Sequence, residues 1–181
     1  IQAAFSWFPK NTLHLVVVDT GVGVNRRPIA VQAGKHCFVA PDNGVLTPVL
    51  NPDSGLVYEL TKPKYFLNPV SSTFHGRDIF APAAAWIAKG TSLSKMGIRI
   101  YDSKTLDLPQ PKLKTNTLIG EVVHIDRFGN LMSNIPGELL QKCFKKGLEN
   151  LQIKISGKLA GPLVESYIHC SKGMAGCTLN S

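Results

Sequence analysis

The sequence has no run of the ~18 or more consecutive apolar residues that a membrane-spanning helix needs. Its first residues, Ile1-Gln2-Ala3-Ala4, lack the basic, apolar and small segments of a secretion signal. Cysteine is scarce: Cys37, Cys143, Cys170 and Cys177 are the four, and no C-x-x-C spacing relates them, which argues against a zinc site. Without a secretion signal they are expected to be reduced and mostly buried, in a cytoplasmic protein. Charge is sparse as well, at 18% of residues against 44% hydrophobic, too apolar for a disordered chain. Acidic residues are the rarer sign, 12 against 20 basic ones, and the net charge of +8 favours anionic partners. The basic residues are scattered, in pairs such as Arg26-Arg27 and Lys145-Lys146, so no nucleic-acid partner is expected. Position 1 is not Met, so the chain need not begin where its gene does.

What is present divides the chain. Its 181 residues suit one medium domain or two small ones. Leu13–Val18, apolar except for His14, is expected to be a strand buried on both faces, and it stops at Asp19 before the turn Thr20-Gly21-Val22-Gly23. Ile29–Gln32 and His36–Ala40 read as short strands split by a turn at Ala33-Gly34-Lys35, and Gly55–Leu60 as another. A helix is predicted over Asp78–Lys89, with Ser72 or Thr73 as possible caps, Pro82 early and Gly90 as its stop. Residues 103–117 carry two prolines and no period and read as a linker. Beyond it, Leu118–Asp126, Leu131–Ile135 and Leu151–Ile155 are strand-like, and Pro136 opens a short helix. Domains are therefore expected at 1–102 and 118–181.

Three polar clusters could carry chemistry. Asp19 stands where a strand ends, the place where α/β sheets bind ligands, or it caps its own turn. Gly21-x-Gly23 is a weak dinucleotide signal, because the third glycine position of G-x-G-x-x-G is Arg26. His75 lies beside a helix N-terminus, whose dipole favours a neutral ring able to accept a proton; the plainer reading is a helix cap. His14 and His124 fall within strands, and His36 and His169 have no polar neighbourhood suggesting ligation. Asp126-Arg127-Phe128-Gly129-Asn130 offers a carboxylate for an ammonium group, a ring face for a flat base and an amide for base nitrogens, or is simply a tight hairpin turn.

The blocks Val17–Arg26, Ala40-Pro41-Asp42-Asn43-Gly44, Ser72–Ala84 and Ile125–Asn130 occur in an order and spacing that resemble the S-adenosyl-L-methionine (SAM) hydroxide adenosyltransferases, relatives of the fluorinase and chlorinase. The most specific stretch is Phe74-His75-Gly76-Arg77-Asp78-Ile79-Phe80-Ala81-Pro82, and the likeness runs from about Phe8 to Ser181. The resemblance implies an α/β N-terminal domain with a central, mostly parallel sheet, followed by a smaller β-barrel-like C-terminal domain. It also implies trimers with sites between subunits, and a chain here that lacks the family's N-terminal strand and C-terminal end. Asp19, Arg26 and His75 match the family's catalytic trio. Asp126, Phe128 and Asn130 match positions that bind the methionine amino group and the adenine, and Ser181 falls near the amino-acid part. Phe74 and Gly76, either side of His75, join the substrate-binding set.

The implied reaction is hydrolysis of SAM to adenosine and L-methionine, with SAM as substrate and neither cofactor nor metal. The departing thioether is neutral and needs no proton, so the requirement is a competent oxygen nucleophile at C5′. Arg26 would stabilise hydroxide while His75 or Asp19 takes up or relays the proton. Two alternatives stand beside it. One is a halogenase on the same fold, against which Gly76 occupies the position of the fluorinase's halide-binding serine. The other is a SAM- or adenosine-binding protein without turnover.

Overall fold

Strand β2 (Pro28–Ala33) and strand β3 (His36–Pro41) form an antiparallel hairpin in which Ala33 pairs with His36, leaving Gly34 and Lys35 as its turn. Gly34 has φ +55°, a left-handed conformation that glycine adopts at little cost. Alternation along the two strands sends Ile29, Val31, Phe38 and Ala40 to one face and Ala30 and Val39 to the other. Strand β1 (Leu13–Leu15) pairs with β3, β4 (Leu56–Leu60) with β2, and β5 (Gly97–Ile100) with β4, giving the order β1-β3-β2-β4-β5. The computed structural model describes residues 1, 4–50, 55–145, 147–170 and 175–179. The chain divides into two compact units, Ile1–Asp107 and Leu108–Ser181.

The sheet of the first unit is mixed, and it corrects the expectation of a mostly parallel one. Among the described residues only β1–β3 is parallel; the other three pairings are antiparallel. The reason is connection length: a parallel neighbour needs a crossover of about a dozen residues or more, and the two residues between β2 and β3 permit only a hairpin. The apolar run 13–18 is likewise not buried on both faces. Its strand stops at Leu15, although the Val16 N–H still donates to the Val39 carbonyl at 2.9 Å, and Leu15, Val17 and Val18 are 45, 48 and 58% exposed. Among the described residues β1 pairs with β3 alone and stands at the edge of the sheet.

Helix α1 (Ala81–Ala88) follows a π-helical turn, Gly76–Phe80, and covers one face of the sheet with Phe80, Ala83 and Ala84 packed on Ala30, Val39, Leu60 and Met96. Pro82 sits in the first turn and Gly90 ends the helix at φ +92°. The helix makes no side-chain cap bond, so neither Ser72 nor Thr73 caps it. A short helix α2 (Leu93–Met96) runs directly into β5, and the opposite face of the sheet is closed by Leu46, Val49, Val57 and Ile100.

The two histidines on β1 and β3 meet. His14 Nε2 and His36 Nδ1 are 3.1 Å apart, and the His14 ring stacks on Phe38 with its centroid at 4.6 Å. Sequence alone supplied no partner for His36; the parallel pairing of β1 with β3 supplies it. Burial, and then repulsion from His36, lower the His14 pKa. The folded state therefore binds its proton less readily than the unfolded chain, whose histidines titrate near ~6.5. Stability is full above that value and is lost as pH falls through the lower folded value. The urea midpoint of the protein is expected to fall between about pH 7.5 and 5, and His14→Gln should flatten that slope; equal slopes for both proteins would show that His14 does not contribute.

The second unit is built of local hairpins. β6 (Lys112–Lys114) pairs with β7 (Thr117–Ile119), β8 (Val122–Ile125) with β9 (Leu131–Ser133), and β10 (Ile153–Ile155) with β11 (Lys158–Gly161), each as a separate two-stranded sheet. Tight turns at Thr115, Gly129, and Ser156-Gly157, all at positive φ, close them. Helix α3 (Gly137–Cys143) follows Pro136. No barrel closes among the described residues: the strands are three or four residues long and no ladder joins one hairpin to the next. β6 also lies inside the stretch that composition suggested was a linker.

Candidate active site

Three backbone features bring the trio together. Asp19 follows the edge strand, and the turn after it reverses the chain so that Arg26 enters β2 two residues later. Asn43, just beyond β3, donates from Nδ2 to the Val18 carbonyl at 2.9 Å and accepts the Val45 N–H at Oδ1, so the residue before Asp19 is tied to the β3 end of the sheet. Gly76 lets the helical turn approach: a Cβ there would lie 2.9 Å from Val17 Cγ1, inside van der Waals contact. His75, immediately before that turn, is thereby set beside the strand that delivers Asp19. The π-helical turn adds a residue to the helix start; such turns recur at functional sites because they re-aim the side chains next to them.

Asp19, Arg26 and His75 form one cluster. Arg26 Nε donates to Asp19 Oδ1 at 2.9 Å and to Oδ2 at 3.1 Å, and Nη2 bonds Oδ2 as well. Nη2 also lies 2.8 Å from His75 Nδ1. The Arg26 and Asp19 side chains are only 4% and 8% exposed, and the guanidinium stacks over the Phe80 ring at 5.0 Å. These contacts settle two alternatives: Asp19 bonds Arg26, not its own turn, and His75 makes no cap bond. They also assign the tautomer. A guanidinium only donates, so His75 Nδ1 must accept, which requires a neutral ring with its proton on Nε2. Arg26 Nη1 has no hydrogen-bond partner among the described residues. Since no buried polar side-chain atom there is left unpaired, Nη1 reaches solvent. Arg26 Nη1 is thus the atom of this cation left accessible, without a partner among the described residues.

Around the trio, Phe74 is exposed and carries the Arg77 guanidinium 5.1 Å above its ring. Sequence reading missed a supporting network: the buried Asp42 accepts Arg27 Nε and Nη2 at 2.9 and 2.7 Å and the Lys104 N–H at 2.8 Å, while Arg27 Nη1 reaches Asp102. The only sequence signal was the Pro41-Asp42-Asn43-Gly44 turn, from which the distant partners could not be foreseen. A surface cavity lined by Lys64, Tyr65, Trp86, Lys89 and Lys95 lies near the end of α1 and contains none of the trio. Among the described residues no group of three or more His, Cys, Asp or Glu is placed to hold a metal.

Asp126, Phe128 and Asn130 belong to the second unit, on the β8–β9 turn. Asp126 Oδ1 accepts the N–H groups of Phe128 and Asn130 at 2.8 and 2.9 Å, and Oδ2 accepts Asn130 Nδ2 at 2.8 Å. Hydrogen bonds from the Asn130 side chain, then from the turn's backbone, hold the Asp126 pKa below the usual carboxylate range. The carboxylate therefore organises its own turn, and Phe128 projects from it 92% exposed. Ser181 lies outside the described residues.

A mixed-sheet α/β unit with a polar trio beyond its strand ends, followed by a unit of β-hairpins, defines a two-unit α/β-then-β class of protein. Family models narrow the class: the SAM hydroxide adenosyltransferase N-terminal domain matches residues 1–97 and the C-terminal domain matches residues 120–181. The chain belongs to the SAM hydroxide adenosyltransferase family. A Salinispora arenicola protein named (R)-S-adenosyl-L-methionine hydrolase is 40% identical over 133 residues, 71% of this chain and 51% of that protein. A Nocardia brasiliensis fluorinase is 30% identical over 165 residues, 88% of this chain and 53% of its own length. The crystal structure of an uncharacterized conserved protein from Thermotoga maritima superposes with a TM-score of 0.69 at 40% identity, covering 78% of this chain and 55% of that one. The chain spans about half the length of the curated relatives it matches.

Proposed function

We propose that this chain contributes to the hydrolysis of SAM to adenosine and L-methionine, in a cytoplasmic homotrimer. The observation that carries the proposal is Arg26, held by Asp19 and His75 and turned to solvent through Nη1. A buried guanidinium stays charged and offers a developing hydroxide an N–H donor from Nη1. The His75 lone pair is occupied by Arg26 Nη2 in the resting arrangement. As water gives up a proton, the Arg26 N–H moves its bond from a neutral imidazole to an anion, the stronger acceptor. That frees Nδ1 to take the proton, while hydroxide attacks C5′ in line with the departing sulfur of methionine. SAM and water thus become adenosine, methionine and one proton.

Hydrolysis is favoured over halogenation because residue 76 is glycine, offering no hydroxyl to a halide, and because its Cβ space is taken by Val17. The hydrolase relative is also more similar than the fluorinase, at 40% against 30% identity. Incubation with SAM is expected to release adenosine at a rate independent of chloride. A chlorinated nucleoside would indicate the halogenase, and binding without either product would indicate a binder alone.

The Asp126–Asn130 turn is proposed to hold the amino-acid and adenine ends of SAM, with Phe128 as the stacking face. Asp126→Ala should then weaken SAM binding by calorimetry more than adenosine binding, since adenosine has no ammonium group. Equal losses would reduce Asp126 to the turn-organising role its hydrogen bonds describe.

A further inference from the structure

The four cysteines are all half-buried, not mostly buried as expected, and they are not equivalent. Cys37 lies within β3, where burial pushes its thiol up to about 11, and Cys143 ends α3. Cys170 and Cys177 are neighbours in the second unit. The Cys177 backbone is fixed against the chain that follows β11: its N–H donates to the Pro162 carbonyl at 3.0 Å and its carbonyl accepts the Val164 N–H at 2.8 Å. Gly161, at φ +115°, allows this approach, since a Cβ there would fall 2.0 Å from the Ala175 carbonyl oxygen. Cys170 follows the short helical turn Tyr167–His169 and donates its N–H to the Tyr167 carbonyl at 3.0 Å.

The sulfur of Cys170 is directed at the Cys177 segment. A Cβ on Gly176 would fall 2.0 Å from Cys170 Sγ, which places that sulfur within about 3.5 Å of the Gly176 α-carbon. Consecutive α-carbons are about 3.8 Å apart, so Cys170 Sγ is within about 7.3 Å of the Cys177 α-carbon. The Cys177 sulfur lies about 2.8 Å from its own α-carbon, so the two sulfurs start within about 10 Å of each other, and closure requires rotation of both side chains and a backbone adjustment to the ~4.4–6.8 Å α-carbon separation of disulfides. Burial, and then the nearness of Cys170, raise the Cys177 pKa.

We propose that Cys170 and Cys177 are a dithiol modification site that closes to an intramolecular disulfide when met by a small disulfide oxidant such as oxidised glutathione. One cysteine thiolate attacks the glutathione disulfide, forming a mixed disulfide and releasing one glutathione. The second cysteine thiolate then attacks the protein sulfur of that mixed disulfide and releases the second glutathione. Two protein thiols are oxidised and one glutathione disulfide is reduced, with the two thiol protons passing to the glutathione thiolates.

The test equilibrates the 181-residue chain with oxidised and reduced glutathione, blocks remaining thiols with an alkylating reagent, and maps the digest by mass spectrometry. The expected product is a peptide pair linked through Cys170 and Cys177, two hydrogens lighter than the dithiol, with Cys37 and Cys143 alkylated. Cys170→Ser and Cys177→Ser should each stop the reaction at a glutathione adduct on the remaining thiol. The native fold should raise the oxidised-to-reduced ratio by about tenfold or more over the same chain in urea, because only the fold holds the thiols together. Alkylation of both cysteines, links to Cys37 or Cys143, or equal ratios with and without urea would overturn the proposal.

Discussion

Arg26→Ala is expected to lower kcat for SAM hydrolysis by on the order of 10²–10³-fold, the effect of removing one preorganised electrostatic stabiliser. The Kd for SAM should stay within a few-fold, because hydroxide is stabilised mainly in the transition state. His75→Ala should lower kcat by on the order of 10²–10⁴-fold, as for a positioned general base. The two side chains share one hydrogen bond, Arg26 Nη2 to His75 Nδ1 at 2.8 Å, and in the proposed mechanism they act on one water. The double variant should therefore lose far less than the product of the single losses. Raising the pH should partly rescue each variant, since bulk hydroxide replaces what the site no longer generates. Rates from about pH 6 to 10 for the four proteins decide the matter. Losses that multiply, with no rescue at high pH, would mean that Arg26 and His75 act separately on binding or folding.

Asp19→Ala is expected to destabilise the protein by about 3–5 kcal/mol, the range for breaking a buried ion pair from one side. The variant leaves Arg26 with a 4% exposed side chain and no counter-charge. Nη1 reaches solvent, which places the expected loss near the lower end of that range. Adding Arg26→Met should restore most of the stability, since the Met side chain fills the space over the Phe80 ring that the guanidinium vacates and the uncompensated charge is gone. Urea midpoints of the two variants against the parent test this. If Asp19→Ala alone is neutral, the pair is better hydrated than its burial indicates. If the double variant is no better than the single, the loss comes from the turn at Thr20–Gly23 and not from the charge.

The trio shows how much of the site could be read in advance. Asp19 and His75 stand out in the sequence by strand-end and helix-start position, Arg26 joins them only through the resemblance to the family, and all three meet in space. Their contacts could not be read, because a carboxylate seven residues from an arginine can cap a turn as readily as pair with it. The direction of the Arg26–His75 bond, and with it the neutral ring and the blocked lone pair, emerged only from the fold. Asp126 runs the other way: its sequence neighbourhood suggested a ligand contact, and the structure adds the turn's own N–H groups as partners.

Local pattern determined the elements made by neighbours in the chain: the β2–β3 hairpin with glycine in its turn, the helix through Ala81–Ala88 stopped by Gly90, and the polar turn at Asp126–Asn130. Period and turn chemistry act over a few residues, and so they can be read directly. The tertiary structure decided what depends on partners far along the chain. The run at Leu13–Val18 reads the same for a central strand as for an edge strand, and its pairing with β3 alone among the described residues places it at the edge. The strand count and turns of the second unit are equally compatible with a barrel or with separate hairpins, because closure requires ladders between residues that the turns do not connect. The His14–His36 contact, the Asp42 network and the approach of Cys170 to Gly176 are set in the same way, by packing that local pattern and turn chemistry do not encode.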